Sequence, residues 1–163
     1  MSKNNTLPTA IGLDKSVQRL QTHLFDFLSQ RWSGDIDVFG RAYRNLNKKE
    51  DYVLEWFNGD KNDYEDVYYN DSSSDAVLFF IDSKSETTDD RVSYLADMKL
   101  VVMCDISKIV PPTISSKRRD EEAHRDLVEA IRDSGSTTIE GIEKDMDTIF
   151  SGISTKDIKF NNI

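Results

Sequence analysis

The chain has 163 residues, of which 37% are hydrophobic and 31% are charged, so it has room for one domain with a core and long polar loops. Its formal net charge of -9 argues against binding nucleic acid through the phosphates, which requires a surplus of lysine and arginine. No apolar run approaches the length of a bilayer span, and the polar start lacks a signal-peptide core. We therefore expect a soluble protein made inside a cell.

A flexible arm and a long helix are the first predicted elements. Residues 1–12 are mostly polar and are expected to form the arm, while residues 13–163 are expected to form a single α+β domain. Apolar residues then recur at spacings of four and three, which predicts an amphipathic helix. They are Leu13, Val17, Leu20, Leu24, Phe27 and Leu28. Asp14 is expected to cap this helix, and Gly34 to end it in a left-handed conformation.

Strand patterns follow from Ile36 onwards. Residues 52–57 are rich in aromatic and branched side chains and end at Asn58-Gly59, which is a strong turn signal. Residues 76–81 are apolar on both sides, which predicts a central strand covered on two faces.

The longest regular pattern runs from residue 96 to residue 106. Every even position is apolar, whereas Asp97, Lys99 and Asp105 occupy odd positions. Period-two alternation predicts a strand with one face on the core, and the charged side is expected to face solvent or a neighbouring subunit. Cys104 lies on the apolar side. Because it is the only cysteine, an internal disulfide is excluded, and we expect a small buried hydrophobe in a reducing compartment.

A charged helix is predicted beyond Pro111-Pro112. Ser115 or Ser116 is expected to cap it, and Gly135 to end it after Asp133. A short strand at 137–142, a brief helix within 146–153 and a strand at 158–163 complete the predicted elements. The order predicts an α+β fold: a mostly antiparallel sheet with two main helices packed on one face.

Candidate chemistry is sparse along the chain. The acidic residues 60–66 lack the spacing of a calcium loop, so they are interpreted as a solvated loop. His23 and His124 have no second ligand at metal spacing, and neither a nucleophile elbow nor a phosphate-binding glycine loop occurs. We assign no catalytic, cofactor-binding or metal-ligating residue and expect no enzyme activity, although a site built from distant Asp, His and Ser residues stays open as an alternative.

The order of the elements resembles a known group. A helix at 13–31, a run of strands, a long strand at 94–110 and a charged helix at 119–133 are similar to the tail-terminator and tail-completion proteins, which form rings at the head-tail junction of tailed bacteriophages. The resemblance rests on element order over residues 13–133, and no functional residues are carried over. A composition rich in Asn, Asp, Tyr and Lys suits a phage of AT-rich hosts such as Bacteroides, including the crAss-like group.

The resemblance implies a structural virion protein, assembled in the bacterial host cytoplasm. It would form a homo-oligomeric neck ring that contacts other neck, portal or tail proteins, joins head to tail and continues the DNA channel. DNA would pass without specific binding, because an acidic wall repels phosphates, and no membrane would be involved. The alternative is an intracellular protein-binding adaptor module without catalysis, which would use exposed Tyr and Trp side chains.

Overall fold

The computed structural model describes residues 1–69, 73–87, 95–110, 119–135 and 139–155, and it has the predicted α+β fold. In chain order the elements are β1 (Lys3–Asn5), α1 (Leu13–Arg31), β2 (Ile36–Leu46), β3 (Tyr52–Asn58), β4 (Asp63–Asp66), β5 (Ala76–Thr87), β6 (Leu95–Cys104), α2 (Ile106–Ile109), α3 (Arg119–Asp133) and α4 (Met146–Ile149). In the part of the chain that the structure describes, no helix is long and apolar enough to span a bilayer.

The strands form one mixed sheet in the order β4-β3-β2-β5-β6, with β1 added beside β2. The pairs β2–β3, β3–β4 and β5–β6 are antiparallel, whereas β1–β2 and β2–β5 are parallel. Strands β1 and β3 share one edge of β2, since β1 pairs with residues 37–39 and β3 with residues 43–46. The prediction of a mostly antiparallel sheet is confirmed.

An irregularity in β2 changes which face its side chains occupy. Val38 pairs with Leu78 and Arg41 pairs with Phe80, so β2 advances three residues while β5 advances two. This extra residue is a β-bulge, and it falls next to Gly40. Its consequence is that Arg41 points to the same face as Val38 instead of the opposite one.

The first face of the sheet packs against α1 and α3. Its core contains apolar side chains from both helices and from the strands below them. They are Val17, Leu24, Leu28, Trp32, Ile36, Val38, Ala76, Leu78, Phe80, Ile109, Val110, Ala123 and Ala130. Both long helices therefore cover one face, as the sequence predicts.

The second face carries a separate apolar cluster that no long helix covers in the described chain. Its members are Phe39, Ala42, Leu54, Trp56, Val67, Tyr69, Val77, Phe79, Val101, Met103 and Phe150. Irregular residues after β4 and the segment around α4 lie over it. Residues 76–80 are buried on both faces, as expected of a central strand.

Strand β6 differs from its prediction at one end. The strand ends at Cys104 rather than at residue 106 or 110, and α2 follows it directly. Asp105 is not on a wet face: it is buried, and its carboxylate accepts a hydrogen bond from the Ser107 amide at 3.0 Å to cap α2. Strand β6 ends here because the backbone turns out of the sheet at Asp105, where the capping side chain starts the helix.

The charged side of β6 is also less polar than predicted. Asp97 and Lys99 are exposed as expected, but Val101 and Met103 on the same side are buried in the second cluster. On this side, the residues near the start of β6 face solvent, whereas the residues near its end belong to the core.

The two ends of α1 differ from their predictions. Gly12 occupies the cap position, with no side-chain cap, and Asp14 lies inside the first turn. The helix ends at an extended Trp32, and Gly34 is not left-handed. Gly34 is instead required by close packing, since a Cβ there would lie 2.8 Å from the Cβ of Asp75.

Part of the expected flexible arm is a strand. Residues 3–5 pair with β2, and Asn5 is buried. The Asn5 carbonyl accepts from Gln21 Nε2 at 2.9 Å, and its side-chain oxygen accepts from the Gly59 amide at 3.0 Å. A polar residue suits this position because its side-chain amide forms hydrogen bonds with backbone groups beside the edge of the sheet.

Other local predictions have mixed outcomes. The acidic loop at 60–66 contains a strand, β4, in its second half, whereas Gly135 ends α3 with a φ of 71° as predicted. The brief helix is confirmed as α4. The short strand predicted at 137–142 is wrong for residues 139–142, which are irregular, whereas residues 137–138 lie outside the described residues. Residues 111–118 and 158–163, with their predicted caps and strand, also lie outside them.

Candidate functional site

A network of charged side chains lies just after the bulge, on the helix-covered face. Arg41 binds Asp14 of α1 through Nε and Nη2, at 3.0 and 3.3 Å, and binds Asp82 of β5 through Nη1 at 3.1 Å. The side chains of Arg41 and Asp14 are only 17% and 15% exposed. The bulge creates this network, because without the extra residue Arg41 would point to the opposite face.

Tyr43 completes the network. Its hydroxyl donates to Asp14 Oδ2 at 2.8 Å. Burial raises the pKa of the Tyr43 phenol, and the bond to Asp14 raises it further against the opposing effect of Arg41. Burial alone would lower the pKa of Arg41, but the Tyr43 bond and the Asp14 charge outweigh it and raise the value. The network therefore fixes α1 to the sheet and favours the charged form of Arg41 and the neutral form of Tyr43.

A groove of about 360 Å³ lies on the opposite face of the sheet, close to the same bulge. Ala42, Leu54 and Ile81 contribute to its apolar floor, and Ile149 and Ile153 form a wall. Arg44 and Lys99 also line it. Arg41, Tyr43, Asp82 and Ser151 complete the lining, so groups of both charges surround the apolar floor.

The wall of the groove is the segment after α4. Phe150 is buried in the second cluster, and the Ser154 amide donates to the Tyr52 carbonyl at 2.7 Å. Arg44 Nη2 donates to the Gly152 carbonyl at 2.5 Å, and its guanidinium lies 4.6 Å from the Tyr52 ring centroid. The segment crosses the second face and is attached at the outer edge of β3.

Four cations surround the groove and the adjoining β2–β3 turn; we call Arg44, Lys48, Lys49 and Lys99 the basic end. No carboxylate in the described ranges forms an ion pair with any of them. Leu46 and Tyr52, which pair across the hairpin, are each 50% exposed beside them. The basic end therefore combines four cations, with the carboxylates of Glu50, Asp51 and Asp82 close by, and exposed apolar area.

A second charged surface, the acidic segment, spans residues 140–147. Its carboxylates are Glu140, Glu143, Asp145 and Asp147, and none of them pairs with a cation of the described chain. Ile142 and Met146 between them are 56% and 40% exposed. Lys144 Nζ lies 4.0 Å from Glu121 Oε1 of α3, and the last two residues of the segment belong to α4, which borders the groove at Ile149.

The sequence indicated neither surface. Lys48 and Lys49 are followed at once by Glu50 and Asp51, so the local charge is balanced, and Lys99 is remote in the chain. Pairing of β2 with β5 and β6 brings these cations to one end. The acidic segment could have been recognised from the sequence, because its eight residues contain four carboxylates and only one lysine.

The residues that the sequence did single out are dispersed. His23 Nε2 lies 3.1 Å from the Ala130 carbonyl, while His124 contacts Glu121 at 3.9 Å, on another helix. Among the described residues, no three His, Cys, Asp or Glu side chains are grouped as a metal site. Burial, with a smaller effect of the Asp105 charge, raises the pKa of Cys104 to about 11.

Aromatic side chains expected at an interface divide into two sets. Trp56 stacks on Phe39 with 3.7 Å between centroids, and Tyr69 is buried, so these rings are core. Tyr52 and Tyr68 are about half exposed.

We compared the chain with protein-family models, with curated proteins and with solved structures, and no match was found. The interpretation of the two charged surfaces therefore rests on their own geometry.

Proposed function

We propose that this chain is a structural subunit of a ring at the head-tail junction of a tailed bacteriophage, in the manner of tail-terminator and tail-completion proteins. The support is the order of the elements: a long helix, a mixed sheet, and a charged helix after the last strand, with both helices on one face. This is the arrangement that the resemblance implies.

The observation that carries an assembly, rather than a monomer, is apolar area that the described chain leaves uncovered at two places. A closed ring requires two different surfaces on each subunit, one for each neighbour. The groove has an apolar floor to which Ala42, Leu54 and Ile81 contribute. Ile142 and Met146 are 56% and 40% exposed. One subunit therefore offers two different apolar surfaces to its neighbours.

In this role the chain would act by assembly. Repeated around a channel, a subunit of net charge -9 repels DNA phosphates, so that a genome passes without binding specifically. Other neck, portal or tail proteins would contact the upper and lower surfaces of the ring in the virion.

A protein-binding adaptor is favoured by one observation, the exposed Leu46–Tyr52 pair at the tip of the β2–β3 hairpin. Such a pair is a suitable anchor for a different protein. The two functions differ in stoichiometry, because an adaptor is a monomer or twofold dimer on its own, whereas a ring subunit associates head to tail.

The test is electron microscopy and sedimentation of the purified full chain over a range of concentrations at low salt. We expect closed rings of one subunit type, formed in a concentration-dependent manner. A twofold dimer as the largest species would contradict the ring. Tight binding to duplex DNA that does not weaken with salt would also contradict it. Contacts with phosphates weaken as salt rises, so binding that persists would mean specific recognition of DNA, which a ring that lets DNA pass does not have.

A further inference from the structure

We infer that the outer edge of β6 pairs with the same edge of a second copy, antiparallel and about a twofold axis at Met98. This contact goes beyond the proposed function, because the hydrogen-bonding edge of β6 is not one of the two apolar surfaces that a ring would use. In an assembly of rings it would join subunits of two stacked rings, and without rings it would join two chains. The partner at this edge is thus a second copy of this chain.

The first support is a long sheet edge without a partner strand in the described ranges. Strand β6 is last in the order of the sheet and pairs there with β5 alone. The Asp105 amide, just after β6, donates to the Asp75 carbonyl, just before β5, at 2.9 Å, so odd-numbered residues direct their backbone groups towards β5. The even-numbered residues within 96–104 therefore direct theirs outward, where another strand can bind them.

The second support is the apolar character of this edge. Met98, Leu100, Val102 and Cys104 pack against the core under the helices, yet each stays partly exposed. The backbone groups of the same residues face outward, so a strand added beside β6 would cover their side chains while it binds their N–H and C=O groups. None of them is a proline, so each can donate as well as accept.

The third support is the register that the two charges of β6 select. Even-numbered residues must oppose one another, so the twofold axis passes through a residue rather than between two residues. An axis at Asp97 or at Lys99 places that charge opposite itself, which is destabilising, and an axis at Leu100 places both charges opposite apolar residues. An axis at Met98 places Asp97 of each copy opposite Lys99 of the other. Both side chains are exposed, and opposite charges in facing positions stabilise a pair of strands.

The neighbouring strand leaves Lys99 available for this contact. Lys99 is paired with Ile81 of β5, and Asp82, the next residue of β5, is bound by Arg41 at 3.1 Å. Within the described ranges no carboxylate forms an ion pair with Lys99. Asp97 of a second copy would supply one.

The experiment is disulfide cross-linking of the full chain in the Cys104→Ala background with a mild oxidant. Met98→Cys places the two new cysteines directly opposite, where the Cα atoms of a hydrogen-bonded pair are about 5.5 Å apart and within reach of a disulfide. Leu100→Cys is the matched control, since it replaces a partly exposed apolar residue on the same side of β6. Its two cysteines would be offset along the strands by about 13 Å, which is too far for a bond. We expect the Met98→Cys chain to form a covalent dimer at least about tenfold faster than the control.

A mixture of two variants identifies the register. Chains with Ala96→Cys and chains with Leu100→Cys should each fail to cross-link alone. They should form a mixed disulfide when combined, because Ala96 opposes Leu100 when the axis is at Met98.

Charge variants test the pair of residues that selects the register. In the Met98→Cys chain, Asp97→Lys or Lys99→Asp alone should slow cross-linking several-fold, since like charges then oppose each other. Both substitutions in one chain restore opposite charges at the facing positions and should restore the rate. Both side chains are exposed, so the fold should tolerate either change.

Several outcomes would overturn the inference. If Met98→Cys cross-links no faster than Leu100→Cys, the axis is not at Met98. If none of the cysteine variants cross-links at any concentration, the edge is covered by another part of the chain or by a different protein. If the charge variants cross-link as fast as their parent, Asp97 and Lys99 do not face each other. Rings that form without cross-linking would refute this contact alone, whereas cross-linked dimers of a chain that forms no ring would contradict only the proposed function.

Discussion

The two faces of the sheet are covered in different ways. The helix-covered face contributes mainly to stability, whereas the second face leaves a surface at which another molecule can bind. The first face lies under two long helices whose apolar stripes fill the core, and a half-buried ion network joins α1 to the strands. The second face lies under short irregular segments attached by few hydrogen bonds, and part of it stays open as a groove. A continuous helix excludes water along its length, whereas an irregular segment leaves edges where another molecule can bind.

The consequence is that local opening is expected on one face only. Cooperative packing makes the helix-covered face open with the whole domain, while a segment with few buried contacts opens at lower free energy. The predictions that follow compare matched substitutions on the two faces, beginning with the largest effect.

Arg41 and Arg44 lie three residues apart in β2 but on opposite faces, and they provide the strongest comparison. We expect Arg41→Met to lower the free energy of unfolding by about 3 kcal/mol, because it leaves both Asp14 and Asp82 without their cation in a half-buried site. Arg44→Met should cost less than about 1 kcal/mol, since Arg44 is exposed and binds a carbonyl and a ring face. Urea unfolding of both variants gives the two values, and equal losses would contradict the assignment of faces.

Phe150 and Leu28 compare the covers of the two faces. We expect Leu28→Ala to cost about 3 kcal/mol in global stability, because its side chain is fully buried under α1. Phe150→Ala should cost less, about 2 kcal/mol, because the segment after α4 opens before the domain unfolds.

Hydrogen exchange separates the two modes of opening. In Phe150→Ala the Ser154 amide, which donates to the Tyr52 carbonyl, should exchange much faster while amides of β5 keep their protection. In Leu28→Ala both should accelerate together. The opposite pattern, with β5 as strongly affected by Phe150→Ala, would show that the second face is part of the global core.

The sequence predicted the parts of this fold that depend on periodicity. Helix α1 and the first half of β5 have repeating apolar side chains that burial on one or two faces requires, so the bounds of α1 and the start of β5 were predictable. The end of β5 was not: the strand continues to Thr87, beyond the apolar residues 76–81, because it stays paired with β6. The bulge beside Gly40 was not, because one extra residue leaves the composition of β2 unchanged while it reverses every later side chain.

Features formed by residues that are far apart in the chain could not be predicted from the sequence either. Val101 and Met103 were overlooked because the charges at positions 97, 99 and 105 dominate the alternating pattern, and only the packing of Phe150 shows that their side is covered. Similarly, the groove needs β2, β3, β5 and the segment after α4 together. Local patterns determine elements, but a surface depends on which elements become neighbours.

Asp105 lies between the end of β6 and the start of α2, and its substitution tests how much this helix cap stabilises the fold. We expect Asp105→Ala to lower the free energy of unfolding by about 1 kcal/mol, because the Ser107 amide loses its cap at the start of α2. Asp105→Asn is the matched control and should retain most of the stability, since asparagine caps a helix comparably. Thermal unfolding monitored by circular dichroism measures both. Equal destabilisation by Ala and Asn would mean that the aspartate charge, rather than its hydrogen bond, is required.

Cys104 gives the smallest effect and reports on water exclusion by the helices. With a pKa raised from 9.0 to about 11 in the folded chain, the thiol stays protonated while the unfolded chain ionises. Unfolding therefore releases a proton in that range, and the stability contributed by the neutral thiol is complete below pH 9 and is lost as the pH rises towards 11. Thiolate absorbance during a pH titration should give a midpoint near 11, and Cys104→Ala should remove the corresponding pH dependence of unfolding.

The same titration can be carried out on the second face. Val101→Cys in the Cys104→Ala background places a thiol on the side of β6 that carries Lys99 two residues away. Val101 is 4% exposed in the closed fold, whereas Cys104 is partly buried, so the comparison depends on opening of the irregular cover. Opening admits water and Lys99 stabilises a thiolate, so we expect this thiol to ionise at lower pH than Cys104. Equal midpoints would mean that the segment after α4 excludes water as well as two packed helices do, and the contrast between the faces would then rest on the groove alone.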